Sequence, residues 1–333
     1  MYEPTGIQHI DVHHHIIPDF YRRTAREHGL SRYADTLLPE WSPAQLVDML
    51  DAQAIQTAVV SLPPPGVCFV GQDKVSAFAR RCNDYTAELV RRYPGRVGGF
   101  GALPLTDLDG TLSEVDHIFD TLGLDGVALY SNIDGRYPGD PGNAQLFAEL
   151  NRRAAVAYLH PALGPHAPAP GQGPILPTWC GEFVFDTTRA LADLVLRGTL
   201  EHNPRFTLIV AHAGGTTPYI LNRLTNAWRE LPEAQRLAPA GPAAYLRRVY
   251  YDTASCGAGH GLRLVRDLFG ADQILVGSDF PFVPTNSITS LARNLRDPQF
   301  LGVSAAVLRA NALRALPRYA LPGELHEVGG GPR

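Results

Sequence analysis

The sequence is short of lysine, of paired cysteine and of any basic block, and each shortage removes a class of function. Among 29 basic residues in a chain of 333, Lys74 is the one lysine, and the formal net charge is −4. Without a basic patch there is no electrostatic reason to bind nucleic acid or an anionic membrane surface, so a small molecule is the expected partner. The four cysteines, Cys68, Cys82, Cys180 and Cys256, stand far apart with no C-x-x-C pair. Neither a zinc knuckle nor a redox dithiol is encoded, and reduced, mostly buried thiols are expected. No apolar run approaches the roughly 20 residues that span a bilayer. The opening MYEPTGIQHIDV lacks the basic and apolar regions of a signal peptide, so a cytoplasmic protein is expected. A glycine-rich phosphate loop is also missing after the first apolar run, where HHHIIP stands instead, and this argues against a doubly wound nucleotide fold. No internal repeat is evident.

What is present is a recurring apolar pattern. Hydrophobic residues make up 45% of the chain and charged residues 19%, enough for a large single core. Short apolar or β-branched runs occur at 7–12, 57–62, 97–102, 126–130, 155–159, 207–211, 249–252 and 274–278. Helical periodicity fills the intervals, as in Val75, Phe78, Ala79, Cys82, Tyr85 and Leu89, which share one face before Pro94-Gly95 ends the run. Ser42-Pro43 reads as an N-cap and first-turn proline for a helix through Leu50. Asp186 reads as the cap of a helix from Thr187 to Arg197. Eight nearly continuous apolar strands alternating with helices predict a parallel sheet closed into a (β/α)8 barrel over residues 1–320. Two connections are long: an insertion at about 16–41, with Tyr21, Tyr33 and Trp41, expected to form a small lid, and a Pro/Gly-rich loop at 161–185. Residues 321–333 carry no core pattern and are expected to form a flexible tail.

Four of these runs end at a potential metal ligand or proton carrier. The first runs into His13-His14-His15, and on a strand residues i and i+2 share a face about 7 Å apart, so His13 and His15 can reach one ion while His14 points away. The others stop at His160 in AVAYLH, His212 in LIVAHAGG and Asp279 in ILVGSD. Two imidazoles on one face of a buried strand end would be costly without a partner, and a divalent ion supplies one. His160 and Asp279 are the expected further ligands. Asp279 is also a candidate for acid/base work, and His212 is expected as the acid/base group beside the metal rather than as a cap of the following turn. In a barrel of this kind chemistry sits at the C-terminal strand ends, where all five fall.

These residues carry a resemblance that runs through nearly the whole chain. DVHHHIIP, RRCNDYTAELVRRYPGRVGGFGALPL, GVALYSNIDGRYPGDP, ELNRRAAVAYLHP, FDTTRA, LIVAHAGGTTPYI and ILVGSDFPF are similar to segments of the amidohydrolase superfamily. Within it they resemble the branch of amidohydrolase-related enzymes that holds 6-methylsalicylate, γ-resorcylate and α-amino-β-carboxymuconate-ε-semialdehyde decarboxylases. The resemblance implies one divalent metal, Zn2+ first and Mn2+ second, held by His13, His15, His160 and Asp279, with His212 as the catalytic histidine. Two-metal relatives bridge their ions with a lysine or glutamate at the end of strand four. Here that strand ends in Leu129-Tyr130-Ser131 and Lys74 lies elsewhere, which argues for a single ion.

YSNIDGRYPGDP and FDTTRA are most similar to the 6-methylsalicylate decarboxylase-like enzymes. This implies a metal-dependent, non-oxidative decarboxylation of a small hydroxy-aromatic or related unsaturated carboxylate, with Asp279 or His212 giving the proton, and a homodimer. A lactone, ester or amide hydrolase is the competing reading, and a copy that binds without turnover is opposed by retention of all five groups. Ser131 and Tyr137 after strand four, with Phe185 and Arg189 after the proline-rich loop, are the expected substrate contacts.

Overall fold

All eight apolar runs form strands, because a segment that is apolar on both faces finds cover only between a barrel interior and an outer layer of helices. The computed structural model describes residues 8–168, 175–322 and 324. The strands are β1 (His9–His15), β2 (Ile55–Ser61), β3 (Val97–Ala102), β4 (Gly126–Tyr130), β5 (Val156–His160), β6 (Thr207–Val210), β7 (Tyr250–Asp252) and β8 (Ile274–Leu275). They pair in parallel and in chain order. Bridges Asp11–Val276 and His14–Phe280 join β8 and the segment after it back to β1. The fold is a (β/α)8 barrel. Among the described residues, no helix is long and apolar enough to cross a membrane.

The barrel interior is filled by side chains rather than open. Ile10, Val12, Val59, Phe100, Ala128, Tyr158, Ile209 and Leu275 form its core, with Phe100 stacked on Tyr158 at 5.5 Å. Leu313, Leu316 and Tyr319, from the helix Ala305–Ala315 and the turn after it, join this cluster. Two further apolar clusters lie largely between the strands and the outer helices.

Local chemistry sets the helix ends. Ser42 caps the helix Pro43–Gln53 by accepting from Gln45 N, as the sequence predicts, and the helix runs past Leu50 to Gln53. The helix Val75–Arg92 buries the expected face. Asp186 differs from expectation. The helix begins at Glu182 and runs to Leu196, so Asp186 lies within it and is buried, with no capping role.

The insertion after β1 splits its aromatic residues. Tyr21 and Trp41 go into the core under the helices, and Tyr21 donates to Gly66 O at 2.8 Å. The lid-like part is a two-stranded hairpin, Arg32–Tyr33 paired with Thr36–Leu37. It is tied to the proline-rich loop, since Tyr33 OH accepts from Leu163 N at 2.8 Å and the Thr178 hydroxyl donates to Asp35. Most of the expected tail lies outside the described residues. Glu324 is paired with the buried Arg309 at 2.6 Å.

The seam between β1 and the segment following β8 depends on one carboxylate. Asp11 Oδ1 accepts from His13 N and Ser278 N at 3.0 Å each, and Oδ2 accepts from Ser278 Oγ at 2.6 Å. Two residue steps on β2, Ala58 to Val60, match three on β1, Asp11 to His14, so β1 is bulged at this point. Asp11→Ala strands these donors in a buried site and is expected to cost about 3–5 kcal/mol. Urea unfolding checks this, and a wild-type midpoint would show that the seam is held elsewhere.

Candidate active site

The bulged end of β1 and the ends of β5 and β8 bring four of the sequence candidates to one point. One ligand atom from each of His13, His15, His160 and Asp279 lies within 4.8 Å of every other, and all four residues are buried. His13 Nε2 stands 3.2 Å from His15 Nε2 and 3.2 Å from Asp279 Oδ1, and His15 Nε2 stands 3.4 Å from the same oxygen. Donors about 2.1 Å from a tetrahedral ion are separated by about 3.4 Å, so these edges match a cation at the centre. Three imidazoles and one carboxylate are a donor set for one divalent transition metal. The end of β4 offers no bridging ligand: the Tyr130 hydroxyl donates to Leu62 O, and Lys74 is exposed.

The orientation of the imidazoles is set from behind. His13 Nδ1 is 2.8 Å from Asp252 Oδ2, and His160 Nδ1 is 2.7 Å from Pro161 O. Both acceptors fix the proton on Nδ1 and leave the Nε2 lone pair facing the centre. His15 Nδ1 faces Ser61 Oγ at 3.3 Å. Burial opposes charge on His13, yet the carboxylates of Asp252 and Asp279 outweigh it and raise its pKa from 6.5 to about 10. Burial and the neighbouring imidazoles hold His160 well below its ordinary value, and burial lowers His15. Burial alone would push Asp279 up, but His13, His15 and His212 together hold it well below the carboxylate range. The cluster therefore attracts positive charge at its centre.

His212 joins the cluster without being one of its four close donors. Its Nε2 lies 3.2 Å from Asp279 Oδ2, the oxygen on the far side from the His13 contact, and its backbone N–H donates to Asp252 Oδ1 at 2.9 Å. The AHAGG motif forms a turn in which His212, Ala213, Gly214 and Gly215 all have φ between +54° and +72°. Asp279 also has φ of +58°. Non-glycine residues held in this region carry strain that the surrounding structure must enforce, and such strain gathers at functional sites. Gly277 is required for closeness: a Cβ there would stand 2.8 Å from that of His13 and 3.0 Å from that of Asp252.

A cleft of about 580 Å³ opens over the cluster, with His15, His160, His212, Ser278 and Asp279 at its polar end. Phe282 packs edge-on to His15 at 5.5 Å and Phe183 edge-on to His160 at 6.2 Å. None of the expected substrate contacts lines this cleft. Ser131 and Tyr137 instead donate to the buried Asp186, as does Asn132 at 2.7 Å, and Arg189 stands 3.9 Å from the same carboxylate. Phe185 is exposed. A carboxylate buried in a helix needs several donors, and these loop residues turn toward it. The cleft is lined instead by Tyr33, Leu38, Phe183, Phe282, Ile288 and Leu291, among others.

Two functional residues escaped the sequence reading. Asp252 ends β7 as the ligands end their own strands, so the same signal was available. Asp11 lies two residues before His13, and its role depends on the bulge, which no pattern in the sequence marks. His14 contacts Asp11 Oδ2 at 3.2 Å, which places it behind the cluster rather than in it.

The chain is similar to known proteins over nearly its whole length. The family model described as amidohydrolase matches residues 10–318. The decarboxylase yanB of Aspergillus niger is 31% identical, over 95% of this chain and 89% of its own. The 6-methylsalicylic acid decarboxylase of Penicillium expansum is 30% identical, over 84% of this chain and 86% of its own. Among solved structures, a 2,6-dihydroxybenzoate decarboxylase in complex with 2,6-dihydroxybenzoate superposes with a TM-score of 0.71 at 25% identity, over 94% of this chain and 99% of that one.

Replacing His13 and His15 together by Ala halves the donor set and is expected to abolish metal in the purified protein, read by elemental analysis. Asp252→Asn keeps the shape, but with its oxygen held by His212 N and Ala254 N its NH2 group faces His13 Nδ1 and opposes the ligating tautomer, so metal affinity should fall about 10- to 100-fold. Unchanged affinity in that variant would show that Asp252 does not orient His13.

Proposed function

The chain belongs to the amidohydrolase family, and from that premise we propose that it is a metal-dependent, non-oxidative decarboxylase of a hydroxy-aromatic, salicylate-like carboxylate. The observation that carries the reading is the juxtaposition of a four-donor cluster with a second histidine–carboxylate contact, His212 to Asp279, at the base of a cleft large enough for an aromatic acid. The named relatives act as decarboxylases, which favours this chemistry over hydrolysis.

His13, His15, His160 and Asp279 would hold one divalent cation, Zn2+ or Mn2+, which when bound supplies Lewis-acid polarisation of the substrate carboxylate and its ortho oxygen. The chain's own residues then manage a proton. A proton added to the ring carbon that bears the carboxylate makes it tetrahedral, and as the carbon–carbon bond breaks its electron pair returns to the ring, which becomes aromatic again as CO2 leaves. His13, His15 and His212 favour the carboxylate form of Asp279, so in this reading it relays a proton rather than originating it. His212 is the proton source in this reading, and Asp279, 3.2 Å away, holds its ring and passes the proton on. Phe183 and Phe282, which line the cleft beside His160 and His15, would pack on the substrate ring and keep water from it. Elemental analysis of the purified protein distinguishes zinc from manganese.

The same reading extends to a cytoplasmic homodimer. Leu37, Leu176, Trp179 and Phe185 are apolar side chains exposed on the hairpin, the long loop and the helix after it, and their burial between two copies would remove that surface from water. Sizing by light scattering tests it.

With 2-hydroxybenzoates as substrates, the metal-loaded enzyme is expected to release CO2 and a phenol in equal amounts. In heavy water the product should carry deuterium at the carbon that bore the carboxylate. His212→Asn should keep the metal and lose about 10²- to 10⁴-fold in kcat. Asp279→Asn retains an oxygen donor without a titratable proton, so decarboxylation should collapse while much of the metal stays. Acid release from a lactone or amide with no CO2 from any aromatic acid would replace this reading by a hydrolase.

A further inference from the structure

The cleft has two chemically distinct ends. Its acidic and imidazole groups gather at His15, His160, His212 and Asp279, and among the described residues that line the rest there is no arginine, lysine, aspartate or glutamate. The apolar side chains of that remainder include Leu38, Phe282, Ile288 and Leu291, beside the uncharged hydroxyls of Ser255 and Ser287. Leu38, Ile288 and Leu291 are themselves buried, and Phe183 packs against Tyr33 of the hairpin at 6.3 Å. A cavity of about 150 Å³ accommodates one benzene ring. At about 580 Å³ this cleft has room for more than a single substituted ring.

We propose that the cleft selects a hydroxybenzoate with one carboxylate whose ring carries an apolar group larger than methyl, seated on Leu38, Phe282, Ile288 and Leu291, and that it rejects acids with a second carboxylate. This rests on the decarboxylase reading of the same site. The reacting carboxylate belongs at the polar end, where the cation that His13, His15, His160 and Asp279 would hold pairs with it. A second carboxylate would lie against the apolar wall with no cationic side chain to pair with, and an unpaired ion removed from water is strongly disfavoured. An apolar group in the same place replaces water on surfaces that gain by losing it.

The test is calorimetric titration of the metal-loaded protein with 2-hydroxybenzoates carrying hydrogen, methyl, propyl or pentyl on the ring, and with an analogue in which the alkyl group ends in a carboxylate. CO2 release is measured on the same compounds. Each added methylene is expected to tighten binding about fourfold until the wall is covered. The dicarboxylate should bind at least about 100-fold more weakly than its alkyl counterpart. Leu38→Ala and Ile288→Ala should each flatten the chain-length series. Equal affinity along the series, or a dicarboxylate that binds as tightly as the propyl compound, overturns the proposal. A chain-length gain in binding with no CO2 from any compound overturns the decarboxylase reading and upholds the preference of the cleft. CO2 release without a chain-length gain does the reverse.

Discussion

The hydrogen bonds behind the imidazoles are the constraint on which the site depends. A histidine ring offers a lone pair at one nitrogen only when its proton is held at the other. Asp252 and the Pro161 carbonyl do this for His13 and His160, and so convert rings that would otherwise compete for protons into donors aimed at one centre. Asp252 acts twice, because its second oxygen accepts from the backbone of His212. One buried carboxylate thereby fixes the tautomer of a ligand and the position of the proposed proton carrier. Tyr158 below it donates to the same Oδ2 atom at 3.3 Å, which joins the site to the barrel interior.

That rigidity makes the backbone at His212 and Asp279 affordable. Both residues sit at positive φ, a conformation that costs a non-glycine residue of order 1–3 kcal/mol. The surrounding contacts over-determine it. Ser278 N donates to the Asp11 carboxylate and Phe280 O accepts from His15 N at 2.7 Å, so the turn after β8 is clamped to β1 on both sides of the ligand. The turn after β6 is clamped through His212 N to Asp252. The two residues assigned to proton transfer are thus among the non-glycine residues whose backbones the barrel holds away from their relaxed state.

The distribution of what the sequence revealed follows from the same physics. Strands buried on both faces must be apolar throughout, so all eight stood out, and an imidazole or carboxylate ending such a strand is conspicuous because it is expensive there. Asp252 carried that signal in the short run VYYD. Asp11 did not, since a polar residue two before a ligand looks like ordinary alternation until a bulge turns it back on the chain. The loops were opaque for a different reason. Ser131 and Tyr137 follow a strand end as an active-site residue would, but Asp186 lies buried opposite them and accepts their hydrogen bonds. Asp186 itself looked like a helix cap because Asp-Thr-Thr favours that position, whereas the true start is preceded by Gly181, which gives no side-chain cap.

The arrangement also separates chemistry from selection. The four metal-cluster residues and Asp252 sit at or near a strand end or on the turn directly after one, where the hydrogen-bonded sheet leaves little freedom. Much of the apolar wall of the cleft comes from other elements: Leu38 from the segment after the hairpin, and Ile288 and Leu291 from the helix Thr285–Arg296. Packing against the barrel sets the position of these side chains, and none of them orients a ligand. A change in their size alters the room for a substituent without moving an imidazole, whereas a change of comparable size at Gly277 would drive His13 and Asp252 apart. The substrate's ring substituents are therefore recorded on the lid and outer helix, and the bond that breaks is recorded at the strand ends.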